Sequence, residues 1–256
     1  MKRIFAMLLA LLLVFAMVAC SDEGEGENDD PTNLAVTNND LVFKPQSQYD
    51  DAFLYEVING DEIAIIGFEA SYTPHEITIP AVIDERSVVQ ISASAFRGVS
   101  NITKVTIPAS VTVIGEYAFA ACEQLAAVEM GASVKTVGEF AFAQCYALKD
   151  ITLPDTLTSL GDGAFYSCFE LETINIPAGV TAIGKLAFMD CKKLTSVTGA
   201  TAVVTIGDFA FCRCEALADM PFASTLTKIG DYAFSGCKAL TEPTLSGVVK
   251  GDYAFN

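Results

Sequence analysis

Cysteines at a constant spacing are the residues of this sequence best able to carry chemistry. Six of the eight stand 23 residues apart, at Cys122, Cys145, Cys168, Cys191, Cys214 and Cys237. Thiols can form disulfides, hold zinc or act as nucleophiles. A constant spacing, however, puts each cysteine at the same point of successive repeating units, where it faces the core as a small apolar residue. We predict buried free thiols, because cysteines stacked in parallel seldom reach the torsion angle that a disulfide requires.

Cys212 lies outside this column. The equivalent positions of the other repeats hold Arg97, Ala120, Ala143, Tyr166, Met189 and Ser235, which indicates a partly exposed position. Cys212 is therefore either a reactive thiol or a tolerated small side chain, and the second interpretation is favoured. The pair Cys212-x-Cys214 alone does not predict a zinc site, because no second pair and no histidine accompany it.

Other catalytic constellations are missing from the sequence. The single histidine, His75, lies between Pro74 and Glu76 and is expected at the surface or at a strand edge. Two carboxylates, Asp150 and Asp219, could act as a glycosidase pair, but on a regular repeat such residues are usually only solvated. We therefore expect no enzyme activity, no cofactor and no metal, and a carboxylate-based hydrolase is a minor alternative.

Charge limits the class of partner. The 256 residues include 15 Lys and Arg against 32 Asp and Glu, a formal net charge of −17. Phosphate binding needs a basic surface, so nucleic acid is not expected as a partner. Apolar residues make up 52% of the chain, which predicts that most of it folds.

The N-terminus has the pattern of an export signal. Lys2 and Arg3 precede an apolar run from Ile4 to Ala19, which is short for a membrane span and typical of a signal peptide. The run ends in Met17-Val18-Ala19-Cys20, which resembles a bacterial lipobox with Cys20 as the lipidated residue. Cleavage by signal peptidase I is the alternative, and a buried N-terminal helix is a weaker one. We predict a signal peptide over 1–19.

A polar segment follows. Residues 20–40 begin with Ser21-Asp22-Glu23-Gly24-Glu25 after the cysteine and contain little to bury, which predicts an acidic flexible tether. The tether is either a plain spacer or, because it resembles the surface-export signal of Bacteroidetes lipoproteins, an address. Periplasmic and external orientations both stay open.

A period of 23 residues organises the rest of the chain. Ala-Phe pairs recur in step with the cysteines, as do the leucines three positions after each cysteine. In one copy, Ile174 and Ile176 alternate at the strand period and point inward, while Asn175 points outward. A glycine such as Gly184 is expected to permit a tight turn into the Ala-Phe segment. One such unit cannot bury its apolar face alone, so the units are expected to stack.

The full pattern, L-x-x-I-x-I-P-x-x-V-x-x-I-G-x-x-A-F-x-x-C, resembles the BspA-like leucine-rich repeat family of bacterial surface proteins. The resemblance implies a β-rich, right-handed solenoid over 75–256, with about eight repeats, a concave parallel β-sheet and short turn or 3-10 segments. Several copies depart from the pattern; for example, Pro221 and Pro243 intrude into predicted strands near the end.

Residues 41–74 do not fit the repeat and predict a small β cap. Strands are expected at Leu41–Phe43, Phe53–Ile58 and Glu62–Phe68, with a hairpin turn at Asn59-Gly60. The first repeat is expected to have a wider loop at Asp84–Ser87. At the other end, Asp252–Asn256 follows without a polar capping repeat, so the last coil is either its own cap or an open edge.

Two surfaces are candidates for binding. The outward strand positions include Lys104, Asp150, Asn175 and Asp219 among many threonines, and they form either a ladder that stabilises the sheet or a flat surface for a protein partner. The position before each Ala-Phe pair is the second candidate. It holds Tyr117, Phe140, Phe209, Tyr232 and Tyr253, interrupted by Gly163 and Leu186. Packing between coils is the favoured interpretation of these aromatic residues, and an exposed binding stripe is the alternative.

The resemblance implies an adhesion function. We expect an exported protein, lipid-anchored to the bacterial outer membrane or cell surface, that binds a host matrix protein, another surface protein or a glycan. Contact with a membrane is expected only through the lipid anchor, and the oligomeric state stays open. The alternative is a structural protein of the envelope that self-associates through the edge of the solenoid. Fold does not fix function, so the adhesion expectation rests on the resemblance, and the assembly alternative rests on the open C-terminal edge.

Overall fold

The computed structural model describes residues 53–69 and 73–256. The predicted leader, the lipidation cysteine Cys20, the tether and the predicted strand Leu41–Phe43 lie outside these residues. Within them the chain consists of strands and turns, without a helix. Consistent with this, the described segments contain no helix with the length and apolar character needed to cross a membrane.

Short strands follow one another along the described chain. They are β1 (Phe53–Ile58), β2 (Glu62–Phe68), β3 (Glu76–Thr78), β4 (Val82–Ile83), β5 (Arg86–Ile91), β6 (Lys104–Thr106), β7 (Val113–Ile114), β8 (Ala127–Glu129), β9 (Thr136–Val137), β10 (Asp150–Ile151), β11 (Ser159–Leu160), β12 (Thr173–Ile176), β13 (Ala182–Ile183), β14 (Ser196–Gly199), β15 (Thr205–Ile206), β16 (Lys228–Ile229) and β17 (Val249–Lys250). From β6 onward each coil contributes up to two strands and one turn segment, so a coil has three sides.

The first strand side is a parallel ladder. The strands β3, β6, β8 and β10 pair in that order, and β12 pairs with β14 further along. Residues 23 apart face each other, as Lys104 does Ala127 and Thr173 does Ser196. Beyond β14 the ladder is reduced to one bridge between Ser196 and Asp219. Pro221 explains this end, because proline has no N–H to donate to a ladder.

The second strand side is also a parallel ladder, in addition to the concave sheet that the resemblance implies. Here β5, β7, β9 and β11 pair in order, and so do β13, β15, β16 and β17. Most of these strands have two residues, which is too short for an alternating pattern to show in the sequence. In each of them down to β16, the second residue, such as Ile114 or Ile229, is buried.

The turn side carries the Ala-Phe-x-x-Cys segments. Its main chain bonds to the next coil without forming a strand: Tyr117 N donates to Glu139 O at 2.8 Å, and Phe119 N donates to Ala141 O at 2.8 Å. Up to the end of the first ladder, the backbone of a coil is thus paired with its neighbour on three sides, which satisfies groups that burial would otherwise penalise.

The glycine column has a different role from the predicted one. Gly115 and its equivalents do not adopt the left-handed conformation. A Cβ at Gly115 would instead lie 2.6 Å from Ala93 N of the preceding coil, so the glycine permits close approach of two backbones. The left-handed residue is Tyr117, two positions later, with φ 55°. Its equivalents Phe140, Leu186, Phe209, Tyr232 and Tyr253 share this conformation.

Stacked phenylalanines form the centre of the core. One ring per coil, from Phe96 to Phe255, lies over the next, with centroid distances between 4.9 and 5.6 Å. The leucine, isoleucine and valine columns of the two strand sides pack around this stack. These contacts confirm the predicted repeat solenoid.

The N-terminal part is a hairpin that extends the second strand side. The predicted strands Phe53–Ile58 and Glu62–Phe68 are confirmed with the same bounds, and Asn59 and Gly60 make the turn with φ 50° and 85°. Strand β2 pairs in parallel with β5, so it covers the start of the ladder. The predicted wide loop is a second hairpin, β4 and β5, which turns at Asp84 and Glu85.

Candidate functional site

The predicted aromatic column packs between coils and also reaches the surface. Tyr117 stacks on Phe140 with ring centroids 5.3 Å apart. Phe209, Tyr232 and Tyr253 form a second stack with 5.1 Å between neighbours. Tyr253 is 60% exposed, whereas the other four are half-buried. The left-handed backbone at these positions carries the rings outward, so their edges line the turn side.

A break in the column gives this surface its shape. At Gly163 a Cβ would lie 2.3 Å from Cε1 of Phe140, which means that the Phe140 ring occupies the space over the glycine. Two residues after the Ala164 of the same coil stands Tyr166, where most other coils have a smaller residue. Tyr166 meets Phe140 edge to face, at 6.4 Å and 72°. At this level, where the column itself has no ring, the Phe140 ring covers the glycine and contacts the Tyr166 ring.

A further ring pair was not predicted from the sequence. Tyr146 and Phe169 stack at 4.8 Å with an interplanar angle of 7°, and both are half-buried. Each directly follows a cysteine of the column, so the signal was available, but only these two of the six coils have an aromatic residue there. The Nζ atom of Lys192 lies 4.7 Å from the centroid of the Phe169 ring.

The electrostatics connect the two ring pairs. Burial raises the pKa of Tyr146, and electrostatic interactions with Glu123 and with Tyr166 raise that pKa further. Tyr166 therefore contacts Phe140 on one side and influences Tyr146 on the other. We refer to Tyr117, Phe140, Tyr146, Tyr166 and Phe169 as the aromatic surface.

Charged side chains surround the aromatic surface unevenly. Arg97 lies 5.1 Å from the centroid of the Tyr117 ring. Glu116, Glu123 and Glu139 are exposed, and their carboxylates make no hydrogen bond or ion pair with any other residue in the described segments. On the far side, Lys193 pairs with Glu170 at 2.6 Å. The free negative charge is thus on the side of the earlier coils.

The first strand side differs, because its polar side chains pair with each other. Lys104 Nζ lies 2.6 Å from Glu129 Oε1, and the Thr106 hydroxyl donates to Glu129 Oε2 at 3.1 Å. The Thr198 hydroxyl donates to Asn175 Oδ1 at 3.1 Å. Of the predicted residues on this side, Lys104 and Asn175 are therefore engaged within the ladder.

Asp150 and Asp219 are exposed but are not brought together. They occupy the same position of coils that are three steps apart, which at the usual strand spacing amounts to about 14 Å. Paired glycosidase carboxylates lie closer than this. The described residues also contain no cluster of three His, Cys, Asp or Glu side chains that could hold a metal ion. The expectation that the protein is not an enzyme stays a prediction.

The six column cysteines are buried, free thiols, as predicted. Each donates its S–H to the carbonyl of the phenylalanine 26 residues earlier; Cys145 Sγ, for example, lies 3.2 Å from Phe119 O. Burial raises the pKa of Cys122 and of Cys237 to about 12. Such thiols form little thiolate, so they act as packing residues with one hydrogen bond and not as nucleophiles.

The residues in the column of Cys212 suggested a partly exposed position, but Cys212 itself is buried. Its side chain is buried at 7% exposure, and the pKa of its thiol is raised, chiefly by that burial. Ala120 and Ala143 are equally covered at the same position. Arg97 is exposed at this position and Tyr166, Met189 and Ser235 are half-buried, so the column is mixed in burial as well as in composition.

A buried carboxylate, Asp190, lies beside Cys212. It is 6% exposed, and Arg213 Nε approaches its Oδ1 to 3.1 Å without the direction of a hydrogen bond. Burial is the largest cause that raises the pKa of Asp190, and the positive charge of Arg213 opposes it. The predicted histidine, His75, is exposed at the start of β3, where its ring meets Asn101 O at 3.2 Å.

The comparison with protein families gives one match. The model described as BspA type Leucine rich repeat region matches residues 66–195 and 181–256, in six copies. The comparison with curated proteins gives no match.

Several solved structures are similar to the chain, and three of them are described here. A leucine-rich repeat protein from T. pallidum is 30% identical with a TM-score of 0.71, over 77% of this chain and 92% of that one. A leucine-rich cell surface protein from Faecalibacterium prausnitzii A2-165 is 31% identical with a TM-score of 0.67, over 77% of this chain and 54% of that one. A leucine-rich repeat protein from Bacteroides ovatus is 29% identical with a TM-score of 0.56, over 73% and 56%. The chain thus spans about half the length of the last two.

Proposed function

The chain belongs to the BspA-type leucine-rich repeat family, and on that basis we propose that it is a surface-exposed bacterial lipoprotein that binds another macromolecule through its solenoid. Proteins of this family are typically associated with the bacterial surface, and one similar structure is that of a cell surface protein. The apolar run Ile4–Ala19 and Cys20 supply the expected export signal and lipid anchor.

The aromatic surface is the observation that carries the binding proposal. Tyrosine, tryptophan and arginine are the residues that most often dominate binding energy at protein interfaces. Here Tyr117, Tyr146 and Tyr166 lie on one side with two phenylalanines, held by stacking at 4.8 to 6.4 Å. Rings that are already fixed by their neighbours lose little freedom when a partner binds.

The first strand side supports binding less well. Its side chains are short, and several of them already pair with one another, as Thr198 does with Asn175. A partner would have to break these contacts, and it would find no large apolar anchor among them. We therefore place the partner, a host matrix protein or another surface protein, on the turn side.

A binding screen tests the proposed activity. The full chain, purified in mild detergent, is presented to matrix proteins, mucins and glycans at low and high salt. We expect saturable binding to one protein class that survives high salt and is lost in the double variant Tyr146→Ser/Phe169→Ser. The control, Phe209→Ser/Tyr232→Ser, alters the second ring stack of the predicted column and should retain binding.

Two results would overturn this part of the proposal. Absence of binding to any class removes the binding function, and equal losses in both double variants remove the assignment to the aromatic surface. Sedimentation of the same samples checks the alternative expectation, because self-association of the wild-type chain would favour an assembly role.

The lipoprotein part of the proposal has its own test. Cells that express the chain incorporate labelled palmitate into the wild-type protein, and the Cys20→Ala variant should incorporate none. Protease added to intact cells should then digest the wild-type protein if it faces outward. Labelling of Cys20→Ala, or protection from protease in intact cells, would contradict the anchor or the exposure, respectively.

A further inference from the structure

The aromatic surface already holds two cations that belong to the chain itself. Arg97 lies over the ring of Tyr117 at 5.1 Å, and Lys192 lies over the ring of Phe169 at 4.7 Å. The face of an aromatic ring is electron-rich and attracts a cation within about 6 Å of the centroid. Each of the two ring pairs therefore ends on a positive charge.

The second of these pairs is unequal at its two ends. In four consecutive coils the position after the column cysteine, or its equivalent, holds Glu123, Tyr146, Phe169 and Lys192. Phe169 has a ring on one face and a cation on the other. Tyr146 has the Phe169 ring on one face, and the position on its other side holds an acid, Glu123.

An acid beside a ring face is an unfavourable neighbour, because both carry negative charge there. Glu123 is close enough to Tyr146 for its charge to help raise the pKa of the phenol. Glu123 is exposed and makes no hydrogen bond or ion pair with the other described residues. A cation between the carboxylate and the ring would interact favourably with both.

We propose, resting on the function proposed above, that a lysine or arginine side chain of a protein partner binds over Tyr146 beside Glu123. The partner is thus a protein whose contacting segment carries a lysine or an arginine.

A sugar fits this surface less well. Glycans stack flat on exposed aromatic faces, and these faces are mostly occupied. Phe140 lies between the Tyr117 ring and Gly163, and Phe169 lies between Tyr146 and Lys192. Tyr146 stacks on a ring at one face, and the residue on its other side along the stack is the exposed Glu123.

Calorimetric titration of the full chain tests the inference. The probe is a short blocked peptide of alternating lysine and serine, compared with the same peptide carrying glutamine in place of lysine, and with neutral oligosaccharides. We expect only the lysine peptide to bind. Its affinity should fall about threefold to tenfold in Glu123→Gln and in Tyr146→Leu, and should be kept in Tyr146→Phe, which retains the ring.

Matched controls separate a built site from general attraction to an acidic protein. Glu85→Gln removes an equally exposed carboxylate from the β4–β5 turn, and Tyr232→Leu removes a ring from the other stack. Both should bind the lysine peptide as the wild type does. Circular dichroism of every variant excludes loss of folding as a cause.

Three results would overturn the inference. Equal losses of affinity for the lysine peptide in Glu85→Gln and Glu123→Gln would mean unspecific charge attraction. Tight binding of an oligosaccharide that is abolished in Tyr146→Leu would mean that the surface is a sugar site. If a macromolecule binds the aromatic surface in the screen but the lysine peptide does not bind, the proposed function stands and the cation site falls. If nothing binds in the screen, the proposed function itself falls.

Discussion

The turn side and the first strand side hold the same coils together by different means. On the turn side, rings stack on rings, inside at Phe142 and outside at Phe140, and glycines let the backbones approach closely. On the first strand side, short polar side chains bond across the ladder, as Thr198 does to Asn175. The turn side therefore stabilises the stack through its rings and leaves large aromatic groups at its surface. The first strand side instead uses its polar side chains for hydrogen bonds within the ladder.

The largest effect is expected from the core of the turn side. Phe142 is fully buried between Phe119 and Phe165, with centroids 5.3 and 5.6 Å away. Phe142→Ala should therefore lower the free energy of unfolding by about 3 to 5 kcal/mol, measured by urea denaturation. Phe142→Leu, which keeps most of the volume, should cost clearly less. Equal costs for the two variants would mean that the stacked ring itself, and not the volume that it fills, determines the stability.

Close approach of backbones should give the next largest effect. A Cβ at Gly138 would lie 2.7 Å from Glu116 N, so Gly138→Ala must push two coils apart and is expected to cost about 3 kcal/mol. The matched control is Gly98→Ala, where the space is open and only a φ of 76° opposes the change, at about 1 kcal/mol. The same denaturation experiment compares them. A larger cost at Gly98 would show that backbone conformation, and not contact between coils, selects the glycines.

The first strand side should respond weakly. Thr198→Ala removes one exposed hydroxyl and its bond to Asn175 Oδ1, and should cost less than about 1 kcal/mol. A double-mutant cycle with Asn175→Ala measures how much of that cost belongs to the pair. A loss as large as that of Phe142→Ala would end the distinction between the two sides.

The smallest expected effect concerns the pH dependence of stability, which should have opposite signs for one carboxyl group on each side. The folded-state pKa of Asp190, on the turn side, is raised by burial, so its ionisation destabilises the fold, and stability is gained as the pH falls through that pKa. The pKa of Glu129, on the first strand side, is lowered by its hydrogen bonds from Lys104 and Thr106, so stability is lost as the pH falls through its folded-state pKa.

Asp190→Asn and Glu129→Gln separate these two responses. Denaturation midpoints between neutral and mildly acidic pH should show Asp190→Asn gaining most over the wild type at neutral pH, with the gain shrinking on acidification. Glu129→Gln should be worse than the wild type at neutral pH and converge with it in acid. Parallel pH profiles for the two variants would contradict the assignment of opposite shifts.

The regular positions of the fold could be predicted, because repetition turns one position into many. The column from Cys122 to Cys237 repeats without exception, so its burial follows from the spacing alone. The two hairpin strands Phe53–Ile58 and Glu62–Phe68 were predicted with their bounds, because their turn residues adopt positive φ at little cost.

The irregular positions could not be predicted in the same way. The pair Tyr146 and Phe169 occupies a position that is acidic or basic in other coils, so the column does not read as aromatic. Gly163 looks like a lost side chain, yet in space it makes room for the Phe140 ring. The candidate site combines Tyr117 and Phe140 of the predicted column with departures from the repeat, and a consensus pattern averages such departures away.

The thiol of each column cysteine also reports on the local opening of its own coil. Every such Sγ is held against a carbonyl of the coil before it, as Cys168 is against Phe142 O at 3.2 Å, and is shielded from water. A thiol reagent can reach it only when those two coils separate. The labelling rate of each cysteine, resolved by mass spectrometry, then measures how readily its coil separates from the coil before it. The rates at the ends and in the middle of the stack can be compared without any substitution.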